Sequence, residues 1–146
     1  MVDGEQTNAA SEWWRAANRF LNGRKSPPDD VRSSLTDDFT YSDRSGGSIF
    51  PDLDAEGFAR FVGAGWAAGA GQPVNTVREV VAVRGERVAA VTAYYDYGNG
   101  MGREILTVVG LDPSLRRLHR VIDFDADDLD AAIAELDRLH SESDGH

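Results

Sequence analysis

The chain has no cysteine, and Lys25 is its only lysine. Without thiols there is no disulfide, no thiolate metal site and no cysteine nucleophile. No apolar run approaches the roughly 20 residues that a helix needs to cross a bilayer. The opening Met-Val-Asp-Gly-Glu-Gln lacks the basic and apolar regions of a signal peptide, so a cytoplasmic location is expected. Positive charge is scarce: 15 Lys and Arg stand against 25 Asp and Glu, a net charge of −10. That is the wrong sign for nucleic-acid binding, which works by a basic surface and counterion release. The preference for Arg over Lys, with much Ala, Gly and Asp, suggests a GC-rich, actinobacterial genome. What is present is 146 residues with 41% hydrophobic content, enough for one domain with a proper core.

Residues 1–7 and 141–146 are polar and are expected to be disordered ends around a single domain over 8–140. A first helix reads from Asn8 to Asn22, where Trp13, Trp14, Ala17, Phe20 and Leu21 form one apolar stripe and Gly23 supplies a stop. Arg24 to Pro28 is a linker, and a short helix over Asp29 to Leu35 follows its prolines. A third helix starts near Asp54 and buries Phe58, Phe61, Val62 and Trp66. Its end, Gly63 to Gly71, is rich in glycine, each interior one costing roughly 1 kcal/mol. Close packing on a sheet or a mobile lid would each account for that. Four strands follow, at Val74 to Val83, Arg87 to Tyr97, Arg103 to Leu111 and Leu115 to Phe124. They are separated by Gly85, Gly98-Asn99-Gly100 and Asp112-Pro113-Ser114. Connections this short predict an antiparallel meander, and helices followed by strands predict an α+β domain with its helices on one face. A last helix over Asp125 to His140 has the stripe Leu129, Ile133, Leu136 and either Leu139 or His140, with Asp125 as its expected cap.

Residues 34–46 are the most informative stretch. Alternation along a short strand there puts Phe39, Tyr41 and Asp43 on one side and Thr40, Ser42 and Arg44 on the other. An aromatic ring, a phenol and a carboxylate on one face read as a pocket wall. The motifs Phe20-Leu21-Asn22-Gly23, Leu35-Thr36-Asp37-Asp38-Phe39, Asp43 and Arg117-Leu118 fall in the order seen in the SnoaL-like, NTF2-like (ketosteroid isomerase-like) superfamily, which the chain resembles over residues 8–124. The resemblance implies an NTF2-like, cystatin-like cone: a curved antiparallel sheet packed on the N-terminal helices, here with an added C-terminal helix. It also implies a homodimer that pairs through the sheet face, where Val77, Val81, Ala93, Val109 and Ile122 would need cover. The C-terminal helix is the alternative cover.

The same resemblance puts Asp43 at the position of a catalytic base in ketosteroid isomerases. Their two oxyanion donors would fall near Ala16 and Thr107 and do not carry over, so steroid isomerisation is not expected. Loss of one such donor typically costs about 10²–10³ in rate. On the last strand His119, Val121 and Asp123 would face the cavity, with Asp123 at the acid/base position of SnoaL-type cyclases. Asp43, His119 and Asp123 are therefore the candidate catalytic group. Tyr41, Phe39, Trp14, Phe61 and Trp66 are the candidate ligand-binding set. His119 and Asp123 read equally as a pair that only satisfies itself, and Tyr94, Tyr95 and Tyr97 as ordinary strand aromatics.

Asp123-x-Asp125-x-Asp127 has the opening of a calcium loop, but Asp128 stands where its Gly belongs and Ala134 where its Glu belongs. Gly98-x-Gly100-x-Gly102 lies in a hairpin and not between strand and helix, so it is a turn. No metal and no cofactor is expected. The implied function is binding of a small apolar, polyketide-like or steroid-like ligand. The alternatives are a cofactor-independent isomerase, cyclase or dehydratase, and a regulatory or dimerisation module.

Overall fold

The structure, a computed structural model, describes residues 6–22, 31–45, 52–67, 74–98 and 101–144. The Arg24–Pro28 linker, Gly46 to Ser48, Gly69 to Gly71 and Asn99-Gly100 lie outside these, as do the side chains of Phe20, Leu21, Val62, Trp66, Tyr95 and Tyr97. The expected meander is there: β3 (Val74–Arg84), β4 (Val88–Gly98), β5 (Met101–Leu111) and β6 (Leu118–Asp125) pair antiparallel in sequence order. β1 (Leu35–Asp43) runs parallel to β6, and the two-residue β2 (Leu53–Asp54) pairs antiparallel with β1. The sheet order is β2-β1-β6-β5-β4-β3.

α1 (Ala9–Asn22) starts where a capping residue allows it. Asn8 Oδ1 accepts from the Ser11 amide and Ser11 Oγ accepts from the Asn8 amide, both at 3.0 Å. The Asn8 side chain also donates to the carbonyls of Gly85 and Val88, at 2.9 and 2.8 Å. Gly85 holds φ +55°, a conformation glycine takes at little cost, so the hairpin between β3 and β4 fastens the start of α1. The short helix expected before β1 is a single 3₁₀ turn, Arg32–Ser34. α2 (Ala55–Ala67) begins within a residue of its expected start.

β6 opens at Leu118, three residues later than the pattern suggested. The reason is Asp112, whose Oδ1 accepts from the amides of Arg116 and Arg117, each at 3.1 Å. Leu115 sits inside that turn at φ 63°.

The helices do not share one face. α1 and α2 cover one side of the sheet, where Ala10, Trp14, Leu35, Phe39, Val109 and Val121 form a buried cluster with Phe58 packed against it. α3 (Leu129–Asp144) covers the other side, over Val88, Ala90, Leu106, Val108, Ile122 and Phe124. Four of the five residues assigned to one alternate face are divided accordingly: Val77 and Val109 belong to the α1/α2 side, Val81 and Ile122 to the α3 side. Register shifts in β3, between Val77 and Glu79 and between Val80 and Ala82, break the simple alternation.

α3 departs from expectation at both ends. Asp125 stays in β6, and Asp128, the residue before α3, accepts the first helical bond from the Ala132 amide. Ala132, Leu136 and Leu139 are the buried stripe, while Leu129 is exposed. Residues 141–144, expected in a loose tail, continue the helix. A buried carboxylate fixes α3 to β1: Glu135 accepts from Arg44 at 2.8 Å and also from Arg138. Burial pushes Glu135 up, but the two guanidinium partners outweigh it and hold the carboxyl below its ordinary value. The Arg44 guanidinium also lies 5.9 Å from the Phe124 ring centre.

Candidate functional site

β1, β6 and β5 are neighbours in the sheet, and their register sets Asp43, Asp123 and Thr107 side by side in one row. The next row holds Tyr41, Val121 and Val109. All six face the α1/α2 side, because cross-strand partners share a face. Phe39 follows two residues before Tyr41, and the Phe58 ring from α2 lies over both, with centres 5.1 Å and 5.4 Å away. The wall read from the sequence is therefore present: ring, phenol and carboxylate in line on β1.

The polar centre of this wall is Asp123. Its residue is 5% exposed, and its two oxygens are held separately: Oδ1 accepts from Thr107 Oγ1 and Oδ2 from Tyr41 Oη, each at 2.7 Å. Burial pushes the carboxyl up to about 6, against the Thr107 and Tyr41 hydroxyls, which favour its charged form. The negative charge of Asp43 adds to the rise, and the Arg103 guanidinium opposes it. An acid with that value exchanges its proton near neutral pH.

Asp43 is half-buried and has its own partner. Its Oδ1 accepts from the Ser45 amide at 3.0 Å and the Ser45 hydroxyl at 2.6 Å, a turn that fixes the side chain where β1 ends. The Tyr41 hydroxyl goes to Asp123 and not to Asp43. Beyond this row, Arg103 Nη2 lies 3.5 Å from Asp125 Oδ1.

His119 does not join this group. The β1–β6 register shifts between Leu35 and Thr40, so that Leu118 and Val121 both enter the helix-side cluster. The half-buried His119 ring meets Asp38 instead, with Nδ1 3.2 Å from Oδ1. Burial and the neighbouring Arg120 hold this imidazole below its ordinary value, opposed by Asp38. Trp14 is buried in the cluster, and among the described residues its Nε1 has no hydrogen-bond partner. Phe61 is exposed, and Phe58 is the α2 aromatic that meets the wall. The Trp66 side chain lies outside the described residues.

Thr107 is the site residue that the sequence reading passed over. The signal was a single hydroxyl inside the apolar run Ile105-Leu106-Thr107-Val108-Val109. Such a residue in a central strand is buried and has to find a partner. Among the described residues no group of three or more His, Asp or Glu is arranged to hold a metal ion. No helix there is long and apolar enough to cross a membrane.

No family model and no curated protein matches the chain. Solved structures do. The BvnE pinacolase from Penicillium brevicompactum superposes with a TM-score of 0.55 at 18% identity, over 94% of this chain and 98% of that one. An NTF2-like protein of unknown function from Cytophaga hutchinsonii gives 0.54 at 10% identity, over 80% and 98%. TerC, co-crystallised with polyporic acid, gives 0.52 at 16% identity, over 85% and 93%. The chain has the NTF2-like fold.

Proposed function

We propose that the α1/α2 face of the sheet binds a small, largely apolar molecule, with Asp123 and Tyr41 as its polar anchor. One observation carries this: a carboxyl 5% exposed, held by the Thr107 and Tyr41 hydroxyls beside an apolar cluster, which burial lifts to about 6. Such a group lowers stability at neutral pH, so packing alone gives no reason to keep it, and strongly shifted carboxyls concentrate at functional sites. Phe39, Phe58 and Tyr41 supply flat apolar surface beside it. A carboxyl near 6 can donate to a ligand oxygen when protonated and accept from a ligand hydroxyl when ionised. The fold is compatible with this use, since TerC was co-crystallised with polyporic acid.

A thermal-shift screen of aromatic and alicyclic ketones and phenols tests the proposal. A ligand at 100 times its dissociation constant stabilises by about 2.7 kcal/mol, a clear shift in melting temperature. The shift should shrink in Asp123→Ala and in Tyr41→Phe. A panel in which no compound moves the wild-type melting temperature removes the proposal.

A second function is favoured by the neighbouring carboxylate. Asp43 stands across from Asp123 in register, the arrangement in which one acid can take a proton from a carbon beside a carbonyl while the other returns it elsewhere. That is cofactor-independent isomerase, cyclase or dehydratase chemistry, and a protein of this fold is named a pinacolase. Asp43→Asn would then abolish turnover of a bound ligand and leave its thermal shift in place. Turnover that survives the substitution would exclude Asp43 as the base.

A further inference from the structure

Among the described residues, the α1/α2 side of the sheet contains a donor with nothing to donate to. Trp14 is 7% exposed, and its indole Nε1 is a buried polar atom without a partner there. Buried N–H groups almost always have an acceptor, so this exception needs a cause. The neighbouring Trp13 meets the rule, donating its Nε1 to the Arg116 carbonyl at 3.0 Å.

Trp14 shares a buried cluster with Phe39, Val109 and Val121. Val109 and Val121 lie two residues along their strands from Thr107 and Asp123, on the same side of the sheet. The indole and the Asp123 carboxyl are thus set into one apolar layer from opposite walls, helix and sheet. One turn further along α1, Asn18 is also buried, and its amide donates to the Trp14 carbonyl at 2.8 Å. That face of α1 is polar beyond what sheet packing requires.

We propose that the Trp14 indole N–H is the fixed donor for a neutral acceptor oxygen, a ketone or an ether, on the ligand held between α1, α2 and the sheet. This rests on the ligand-binding function above and narrows its ligand. An indole only donates, so it selects an acceptor and gains nothing from an ammonium group. A carboxylate or phosphate would meet Asp43 and Asp123 on the facing wall in a chain of net charge −10. A neutral acceptor remains, and a ketone or ether oxygen supplies one.

The test compares 2-acetonaphthone with 2-isopropenylnaphthalene, which has the same shape but carries a methylene in place of the carbonyl oxygen. The full chain, labelled with nitrogen-15, has three tryptophans and so three indole N–H signals. Trp14→Phe assigns one of them and removes the donor. The ketone is expected to move the Trp14 indole proton downfield and to bind about tenfold tighter than the hydrocarbon, an advantage that disappears in Trp14→Phe. If the ketone binds but leaves the Trp14 signal in place, or keeps its advantage in Trp14→Phe, the donor role is wrong while the binding function stands. If neither compound binds at millimolar concentration, both are wrong. Should Trp14→Phe not fold, Trp13→Phe and Trp66→Phe assign the Trp14 signal by elimination, and its response in the wild type decides.

Discussion

Asp123 and three carboxyls elsewhere in the molecule, Asp38, Asp112 and Glu135, pull stability in opposite directions with pH. The folded carboxyl titrates at about 6 against an ordinary value of 3.8, so between those values the folded state holds a proton that the unfolded chain has released. Stability is greatest below 3.8 on this account and is lost as pH rises through 6, by about 3 kcal/mol in all. Asp38, Asp112 and Glu135 are held below their ordinary values, so their contributions are present at higher pH and are lost in acid. Those terms are common to wild type and Asp123→Asn and cancel in the difference. The variant should therefore gain on the wild type between pH 4 and pH 8 by up to about 3 kcal/mol, read from urea unfolding at each pH. Parallel stability curves would show that Asp123 does not titrate as a buried acid. Tyr41→Phe removes a donor that favours the charged form, and should move the Asp123 titration, followed by carboxyl carbon-13 NMR, to still higher pH.

The four-strand meander, α1 and the start of α2 were legible at the scale of elements, because turns and caps announce themselves. Asn8 opens α1, Gly85 turns the first hairpin, and period-2 patterns run between them. The faces were harder to read. The β3 register shifts change which side a residue takes, and the turn held by Asp112 consumes residues that the pattern gave to β6. The wall of Phe39, Tyr41 and Asp43 was legible because β1 alternates cleanly there. The meeting of Tyr41 with Asp123, 82 residues away, depends on a parallel pairing that no local pattern encodes. His119 was placed with Asp123 by parity alone, and one register shift was enough to send it to Asp38.

Glu135 ties the buried side of α3 to Arg44, beside the apolar stripe of Ala132, Leu136 and Leu139. Glu135→Gln keeps the shape and loses the charge that Arg44 and Arg138 bind. It should cost about 1 kcal/mol at pH 7, with the deficit vanishing as pH falls below the ordinary glutamate range and the wild-type carboxyl is itself protonated. A deficit that persists unchanged into acid would assign the effect to packing instead of charge.

At the scale of the whole molecule, both faces of the sheet are covered within one chain, and this bears on assembly. The homodimer expected from the family resemblance pairs through a sheet face. Here the α1/α2 face is occupied by its helices and the other by α3, whose Ala132, Leu136 and Leu139 are buried on it. Pairing by the sheet would require α3 to leave, exposing Val88, Leu106, Val108, Ile122 and Phe124 together with the unpaired Arg44. An apolar surface of that extent does not stay in water as a monomer. The full chain should therefore sediment as a monomer at micromolar concentration, and a chain ending at Asp125 should sediment as a dimer or larger. The truncated chain should also bind a hydrophobic dye that the full chain leaves in solution. If the full chain proves dimeric and Ile122→Lys leaves it so, the subunits pair through some surface other than this face. If Ile122→Lys dissociates the dimer, α3 is a displaceable cover and the sheet face is the interface.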